Sequence, residues 1–314
     1  MGGTYILRKG VSNVSDLADG GMMALNALKG PAGKIFYVDY KHENTSDYNE
    51  GLDPNKPLTT IAKAYDKCTD EKMDVIYVGG RGRYRETELS ILKGGVRIVG
   101  AGWGVEWNQT ASASAYVVKV MAENVIIKNI QISVNDQGGG IYVGDGGSTY
   151  NGFCFLVENC FIRGDWYNEA TRIPGASIGH GIYNYGATLM TVRNNLIWGW
   201  GTGVHVQGGS SRTSYGARIM DNHITYCRDH AIHFEGAGYT SCITGNYIWD
   251  TASDIQATAL VDLHPSTGGI LVAGNYIAGG TPAYDLGDLN YWTGNFVEDA
   301  EATSELNTVA REAF

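Results

Sequence analysis

A short asparagine-containing motif recurs in the second half of the 314-residue chain. Each copy has one apolar residue before the shared position and a second apolar residue two places after it. The shared position holds Asn195, Asn222, Asn246, Asn275 and Asn295, and Cys160 takes it in an earlier copy. Successive asparagines are 27, 24, 29 and 20 residues apart. Short strands repeated at this period, without an intervening helix, predict a parallel β-solenoid in which each repeat forms one coil.

The composition fits many short strands joined by tight turns, since the chain holds 44 glycines and only 6 prolines. Stacked coils lie about 4.8 Å apart, so an asparagine recurring at one turn can form a ladder of side-chain hydrogen bonds. Such a ladder would satisfy backbone groups that have no sheet partner. The alternative is turn preference alone, because asparagine tolerates left-handed backbone conformations.

The region before the repeats has its own pattern. Residues 34–39 and 74–78 are predicted strands, and residues 58–68 place apolar side chains on one helical face. This opening, read as Phe36-Tyr-Val-Asp39, Lys56-Pro-Leu-Thr-Thr-Ile-Ala-Lys-Ala64, Val75-Ile-Tyr-Val78 and Tyr84-Arg-Glu86, resembles the right-handed parallel β-helix, or pectin-lyase-like, superfamily. The resemblance covers residues 34–298 and implies that the helix caps the N-terminal end of an all-β solenoid. That superfamily includes lyases, hydrolases, epimerases, phage tailspikes and proteins without known catalysis, so it implies the fold and leaves the activity open.

The two ends of the chain are expected to lie outside this domain. Residues 1–33 are glycine-rich and are interpreted as an arm or attachment segment, as in the phage-encoded β-helix proteins that this opening resembles. Residues 299–314 are expected to form a short capping helix or tail, with Ser304 as its N-cap. A covered C-terminal end favours a monomer, and an uncovered one favours a homotrimer.

The charge and the cysteine pattern exclude several classes of partner and site. A net charge of −10 argues against nucleic acid as the main partner, and no apolar run reaches the ~20 residues of a membrane span. The first residues lack the apolar core of a secretory signal, which predicts a cytoplasmic, virion-associated or trimmed secreted protein. Five cysteines without a Cys-x-x-Cys pair disfavour a disulfide framework and a structural zinc site.

A further predicted strand occurs once per coil between the asparagine motifs. Alternation along these strands points one set of side chains inward: Ile141, Val143, Ile182, Val204, Val206, Ile232, Phe234, Val261 and Leu263. The outward positions then form two columns, one reading Tyr142, Tyr183, His205, His233, Asp262 and the other Gly144, Tyr185, Gln207, Glu235, His264.

Within a column, neighbours are expected about 5 Å apart, with diagonal pairs about 7–8 Å apart. His233 would then touch Asp262, which would orient its imidazole and raise its basicity. Glu235 would touch His264 and lie diagonal to Asp262, near the ~6.5–9.5 Å separation of an inverting glycosidase pair. The candidate catalytic residues are His205, His233, Glu235, Asp262 and His264. The candidate substrate-binding residues are Tyr142, Tyr183, Tyr185, Gln207, Trp198 and Trp200, whose aromatic members offer flat faces to sugar rings.

Several interpretations of these columns stay open. They are an ordinary solvated face, a divalent-metal site of His205, His233 and Asp262, or the active site of a polysaccharide-active enzyme. No cofactor is required by the pattern, although calcium stays open. Asp262-Leu263-His264 resembles the Asp-Pro-His motif of mannuronan C5-epimerases, which implies His264 as the base and Asp285 as a further acidic group, but Leu263 replaces the proline of that motif.

Among the cleavage reactions, hydrolysis of a neutral or weakly acidic glycan is slightly favoured over lyase chemistry. No lysine follows Lys128, so these coils lack a lysine base, whereas Glu235 and Asp262 supply the two carboxyl groups that hydrolysis needs. The main alternative is a glycan-binding or virion structural protein without catalysis.

Overall fold

The chain folds into a right-handed parallel β-helix, as the sequence predicts. The computed structural model describes residues 32–109, 115–134, 138–147, 152–164, 179–209, 213–236, 238–249, 259–279, 283–287 and 289–298. These residues form three long sheets of parallel strands, so that each coil contributes one strand to each sheet in turn. The inner faces of the three sheets enclose a continuous apolar core.

Sheet 1 has ten strands: Ile35–Val38, Val75–Val78, Arg97–Gly100, Ile126–Lys128, Leu156–Glu158, Thr191–Arg193, Arg218–Met220, Cys242–Thr244, Leu271–Ala273 and Tyr291–Thr293. Sheet 2 has nine: Gly82–Glu86, Val105–Gln109, Gln131–Ser133, Phe161–Arg163, Leu196–Trp198, His223–Thr225, Tyr247–Trp249, Tyr276–Ala278 and Phe296–Glu298. Sheet 3 has eight: Leu89–Ile91, Tyr116–Val120, Gly139–Gly144, His180–Tyr185, Thr202–Gln207, His230–Glu235, Val261–Leu263 and Ala283–Asp285. A two-stranded pair, Ser214–Tyr215 and Gly238–Tyr239, lies apart from them.

The asparagine motif forms the sharp turn between sheet 1 and sheet 2. The residue just before each recurring asparagine has a positive φ, as at Asn194 (φ +54°) and Gly245 (φ +65°). Asparagine, aspartate and glycine tolerate this left-handed conformation, which explains why they occupy that position in every copy from Asn194 onward. The turn therefore requires two adjacent residues of restricted type. The first must tolerate a positive φ, and the second is the recurring asparagine.

The recurring asparagines are buried and joined from coil to coil by side-chain hydrogen bonds. The Asn246 Oδ1 accepts from the backbone N–H and the Nδ2 of Asn222, each at 3.0 Å. The Asn246 Nδ2 donates to the Ile219 carbonyl and to the Asn275 Oδ1, each at 2.9 Å. The same pattern repeats at the other positions, and the Asn195 Oδ1 accepts from the backbone N–H of Cys160. The ladder thus satisfies backbone groups that the bend removes from the sheets.

Among the described residues there is one short helix, Ile61–Lys67, which lies at the N-terminal end of the solenoid and packs against the first two strands of sheet 1. The Thr60 side chain caps it by accepting from the Lys63 N–H. The Glu86 carboxylate also accepts the N–H groups of Ile61 and Ala62, at 2.7 and 3.0 Å. Within the described part of the chain, no helix is long and apolar enough to cross a membrane. The proposed arm, apart from residues 32 and 33, and the proposed C-terminal segment with Ser304 fall outside the described residues.

We expect Asn246→Ala to lower the free energy of unfolding by about 2–4 kcal/mol. The substitution removes four hydrogen bonds and leaves the buried Asn222 N–H without an acceptor, which adds a desolvation cost. Equilibrium urea unfolding measures the change. Thr244→Ala, an outward-facing position two residues earlier, is the control and should shift stability by at most about 0.5 kcal/mol. Similar losses in both variants would contradict a stabilising ladder.

Candidate functional site

The outward columns predicted from the sequence lie on sheet 3. Residues of the first column pair directly across successive strands: Tyr142 with Tyr183, Tyr183 with His205, His205 with His233, and His233 with Asp262. Gln207 and Glu235 pair in the second column. All nine side chains expected to face inward are fully buried. The predicted register of these strands is therefore confirmed.

The strict alternation of side chains breaks at the start of these strands, and this break adds two histidines to the surface. Gly181 and Ile182 are both buried, and so are Ala231 and Ile232. A Cβ at Gly181 would lie 2.6 Å from the Gly203 carbonyl oxygen of the next coil, so a larger residue does not fit there.

His180 consequently stacks on Tyr183, three residues later, with ring centroids 4.7 Å apart. In the same way, the His230 ring lies 4.5 Å from the His233 ring. The surface of sheet 3 thus carries four adjacent imidazoles: His180, His205, His230 and His233.

One chain of polar contacts runs from Tyr116 to Glu235. The Tyr116 hydroxyl lies 3.2 Å from the His180 Nδ1, and the His180 Nε2 lies 3.1 Å from the His205 Nδ1. The His205 Nε2 lies 3.3 Å from the Glu235 Oε2, although it makes no aligned hydrogen bond there. Because each imidazole has one nitrogen on either side, the two rings link the Tyr116 hydroxyl to the neighbourhood of Glu235.

The Asp262 carboxylate lies between two imidazoles. Its Oδ2 is 3.3 Å from the His233 Nε2 and 3.8 Å from the His230 Nε2. The His230 Nδ1 is 3.0 Å from the Ala259 carbonyl oxygen, which can only accept a hydrogen bond. The Ala259 contact therefore fixes Nδ1 as the protonated nitrogen of His230 and directs its Nε2 at Asp262.

A row of tyrosines continues the first column toward the N-terminus. The ring centroids of Tyr116 and Tyr142 are 5.2 Å apart, and those of Tyr142 and Tyr183 are 5.3 Å apart. Tyr185 stacks on Tyr183 at 5.8 Å, and the Tyr183 hydroxyl donates to the Gln207 side-chain oxygen. Burial raises the pKa of Tyr183, so the phenol stays neutral at ordinary pH.

Three histidines of this cluster, His180, His205 and His233, resist protonation. Burial, with neighbouring imidazoles, lowers the pKa of His180 to about 4 and that of His205 to about 2. The pKa of His233 is also lowered, because burial and the nearby His230 outweigh the opposing effect of Asp262. The expected rise in the basicity of His233 is therefore wrong. The carboxylate orients this imidazole, and its effect on the pKa of His233 is too small to offset burial.

Some predicted site residues lie elsewhere. Trp200 is 2% exposed, and its Nε1 donates to the Ile162 carbonyl, so its predicted role in stacking on substrate is wrong. Trp198 lies on sheet 2, where it stacks with Arg163. Glu235 contacts His205, whereas the exposed His264 forms its side-chain hydrogen bond with Ser266. The strand of Asp262 ends at Leu263, so His264 lies just beyond it, still near enough to help lower the pKa of His233.

Asp285, the further acidic group of the epimerase interpretation, is the last residue of a sheet 3 strand. Its carboxylate accepts hydrogen bonds from the Trp292 Nε1 and the Asn290 side chain.

Three contributors were missed by the sequence reasoning: His230, Tyr116 and Lys119. Lys119 pairs with Tyr142 in the first column and forms an ion pair with Glu88 at 2.9 Å. A signal for His230 does exist, since His230 precedes His233 by the same three residues that separate His180 from Tyr183. An assumption of strict alternation hides this spacing, because it places His230 on the inner face of its strand.

Two groups of side chains in this cluster place potential metal-ligand atoms within 4.8 Å of one another: His205, His233, Glu235 and His230, His233, Asp262. Both groups are rich in imidazole nitrogen. Calcium takes six to eight oxygen ligands, so the donor set does not fit calcium, whereas it suits zinc, nickel or copper.

Comparison with known proteins supports the fold. No family model and no curated protein matches the sequence. Among solved structures, ORF18 of Geobacillus virus E2 aligns with a TM-score of 0.52 at 12% identity, covering 90% of this chain. This chain spans 64% of the length of that viral chain.

Two further solved structures align at lower TM-scores. The pectin methylesterase PemA from Erwinia chrysanthemi aligns with a TM-score of 0.48 at 10% identity, over 89% of this chain and 95% of its own. The Dettilon tailspike protein aligns with a TM-score of 0.39 at 14% identity, over 92% of this chain and 65% of its own.

The lowered histidine pKa values predict that acid destabilises the fold. In the unfolded chain His180 and His205 take up protons near pH 6.5, whereas in the folded chain they do so only near or below pH 4. Between these values the unfolded state binds more protons, so the free energy of unfolding falls as pH falls. The slope is at most about 1.4 kcal/mol per pH unit for each histidine.

Urea unfolding of the native chain and of His205→Gln, at about pH 7 and about pH 5, measures this effect. The variant should lose less stability than the native chain over that interval. An equal loss in the two proteins would mean that His205 titrates as in the unfolded chain.

Proposed function

We propose that the protein binds a polysaccharide along sheet 3 and hydrolyses a glycosidic bond with the carboxyl groups of Glu235 and Asp262. One observation carries this proposal. Two outward carboxyl groups lie on adjacent strands, each against an imidazole, and a row of tyrosines continues from them along the same face. Glycoside hydrolysis uses two carboxyl groups, and the adjacent tyrosines, whose rings meet edge to face, offer aromatic contacts to sugar rings.

The two carboxyl groups have different surroundings, which supports different roles. Asp262 lies between two imidazoles, so we assign the Asp262–His233 pair to accept the proton of the attacking water. Glu235 adjoins His205, whose low pKa keeps it neutral, so this neighbour does not hold Glu235 as a carboxylate through an ion pair. We therefore assign Glu235 to protonate the leaving oxygen, and solvent can restore its proton, because the Glu235 side chain is 40% exposed.

The geometry of the sheet also indicates how the glycan lies. Tyr142 and Tyr183 sit on successive coils about 4.8 Å apart, so a glycan on this face runs along the solenoid axis. Lys119, the cation of the first column, is already paired with Glu88. With a net charge of −10, this surface favours a neutral or weakly acidic glycan over a polyuronate.

Glycan binding without cleavage is the alternative, as in a virion decoration protein. It is favoured by the extent of the tyrosine row, which spans the coils of Tyr116, Tyr142 and Tyr183 and so exceeds what two catalytic groups need. Both functions use the same face and differ in whether bonds are broken.

We expect Glu235→Gln and Asp262→Asn each to lower the cleavage rate about 100-fold or more, because each removes a proton-transfer group. The assay measures new reducing ends with the purified chain on a panel of neutral and acidic polysaccharides. Glu158→Gln is the matched control, since Glu158 pairs with Arg193 on sheet 1, away from the site. Ultraviolet absorbance of an unsaturated product would instead identify a lyase, and binding without new ends would identify the non-catalytic alternative.

Tyr183→Ala should weaken glycan binding about 3- to 10-fold, the loss of one aromatic contact of about 0.5–1.5 kcal/mol. Calorimetric titration of the Asp262→Asn background with the oligosaccharide that the panel identifies measures this without turnover. Tyr247→Ala provides the control, because Tyr247 is an exposed tyrosine on sheet 2. A larger loss of binding in Tyr247→Ala would place the glycan on sheet 2 and would contradict the proposed binding face.

A further inference from the structure

We propose that His230, His233 and Asp262 form a binding site for a divalent transition-metal ion, with zinc as the reference ion. The two imidazole Nε2 atoms converge on one carboxylate oxygen, at 3.8 and 3.3 Å. In a tetrahedral zinc site with bonds of about 2.0–2.1 Å, neighbouring ligand atoms lie about 3.3 Å apart. The two distances to Asp262 are close to this spacing, and the three residues place ligand atoms within 4.8 Å of one another, so binding needs only small side-chain movements.

The orientation of His230 suits a metal ion at this place. Its Nδ1 lies 3.0 Å from the Ala259 carbonyl oxygen, so its Nε2 is the nitrogen that is directed at the Asp262 carboxylate and available as a ligand. In metal sites, the ring nitrogen that does not bind the metal commonly donates its hydrogen to a backbone carbonyl, which orients the imidazole.

Ring geometry distinguishes this group from the neighbouring one of His205, His233 and Glu235. The His205 and His233 rings are stacked and nearly parallel, at 10°, so one ion cannot lie in both ring planes. The His230 and His233 rings are inclined at 42°, so their planes intersect and one ion can lie in both. In-plane approach to the imidazole nitrogen is what metal coordination requires. The geometry therefore favours His230, His233 and Asp262.

The donor set also selects the class of ion. Two imidazoles and one carboxylate suit zinc, nickel, copper or iron(II), and leave at least one coordination position for water or substrate. The Asp262 side chain is 20% exposed, so an ion can reach it from solvent. The inference goes beyond the proposed hydrolysis, because ion binding to the free protein requires no glycan.

The experiment titrates the full chain, stripped of metal with chelator, with Zn²⁺ by calorimetry, and with Co²⁺ by visible absorption. The expected result is one Zn²⁺ per chain and the d–d bands of a four- or five-coordinate Co²⁺ site without a thiolate charge-transfer band. His230→Ala and Asp262→Asn should each weaken binding at least about 10-fold, as expected for loss of a ligand. His230→Gln is the second variant, and circular dichroism verifies that each variant is folded.

Two controls separate this site from others. His223→Ala removes an exposed histidine on sheet 2, and Glu235→Gln removes the carboxylate of the neighbouring group; both should bind zinc as the native chain does. The proposal is overturned if the native chain binds no zinc, if folded His230 variants bind it unchanged, if Glu235→Gln abolishes binding, or if a thiolate band appears. Because no glycan is present, these outcomes are independent of whether the hydrolysis proposal holds.

Discussion

The hydrogen bonding of parallel strands in one fixed register is the constraint on which the rest of this molecule depends. Side chains alternate between the two faces of a strand, so a slip of one residue would exchange the whole core for the whole surface. The asparagine ladder opposes such a slip, because each amide contacts both the neighbouring asparagine and a backbone carbonyl of the previous coil. A fixed register in turn stacks equivalent outward positions of successive coils directly on one another.

Stacking gives the surface of sheet 3 an unusual chemistry. An outward side chain in this sheet is covered by the side chains of the coils before and after it. His205 lies between Tyr183 and His233 and is only 7% exposed, although it points away from the core. Its imidazole therefore loses water and stays neutral, where a solvated histidine would titrate near pH 6.5. Contact with the side chains of adjacent coils, more than distance from the solenoid core, therefore determines whether His205 is charged.

The cluster combines four imidazoles with two carboxyl groups. Asp262 faces the Nε2 atoms of His230 and His233, and Glu235 faces the Nε2 of His205. What lies between each carboxylate and its imidazole, a proton or a metal ion, decides which chemistry the site performs. The same arrangement of side chains is thus compatible with the proposed acid–base role and with the proposed ion-binding role. The two roles share His233 and Asp262.

The solenoid, the coil boundaries, the inward residues and the first outward column through Tyr183, His205, His233 and Asp262 can all be predicted from the amino-acid sequence. They follow from a fixed repeat and from strand alternation, which are visible in the order of residues along the chain. The burial of Trp200, the contact of Glu235 with His205 and the position of His230 in the cluster are apparent only in the folded structure. Those outcomes depend on breaks in alternation and on contacts between coils, because side-chain direction and desolvation are set by residues distant in sequence.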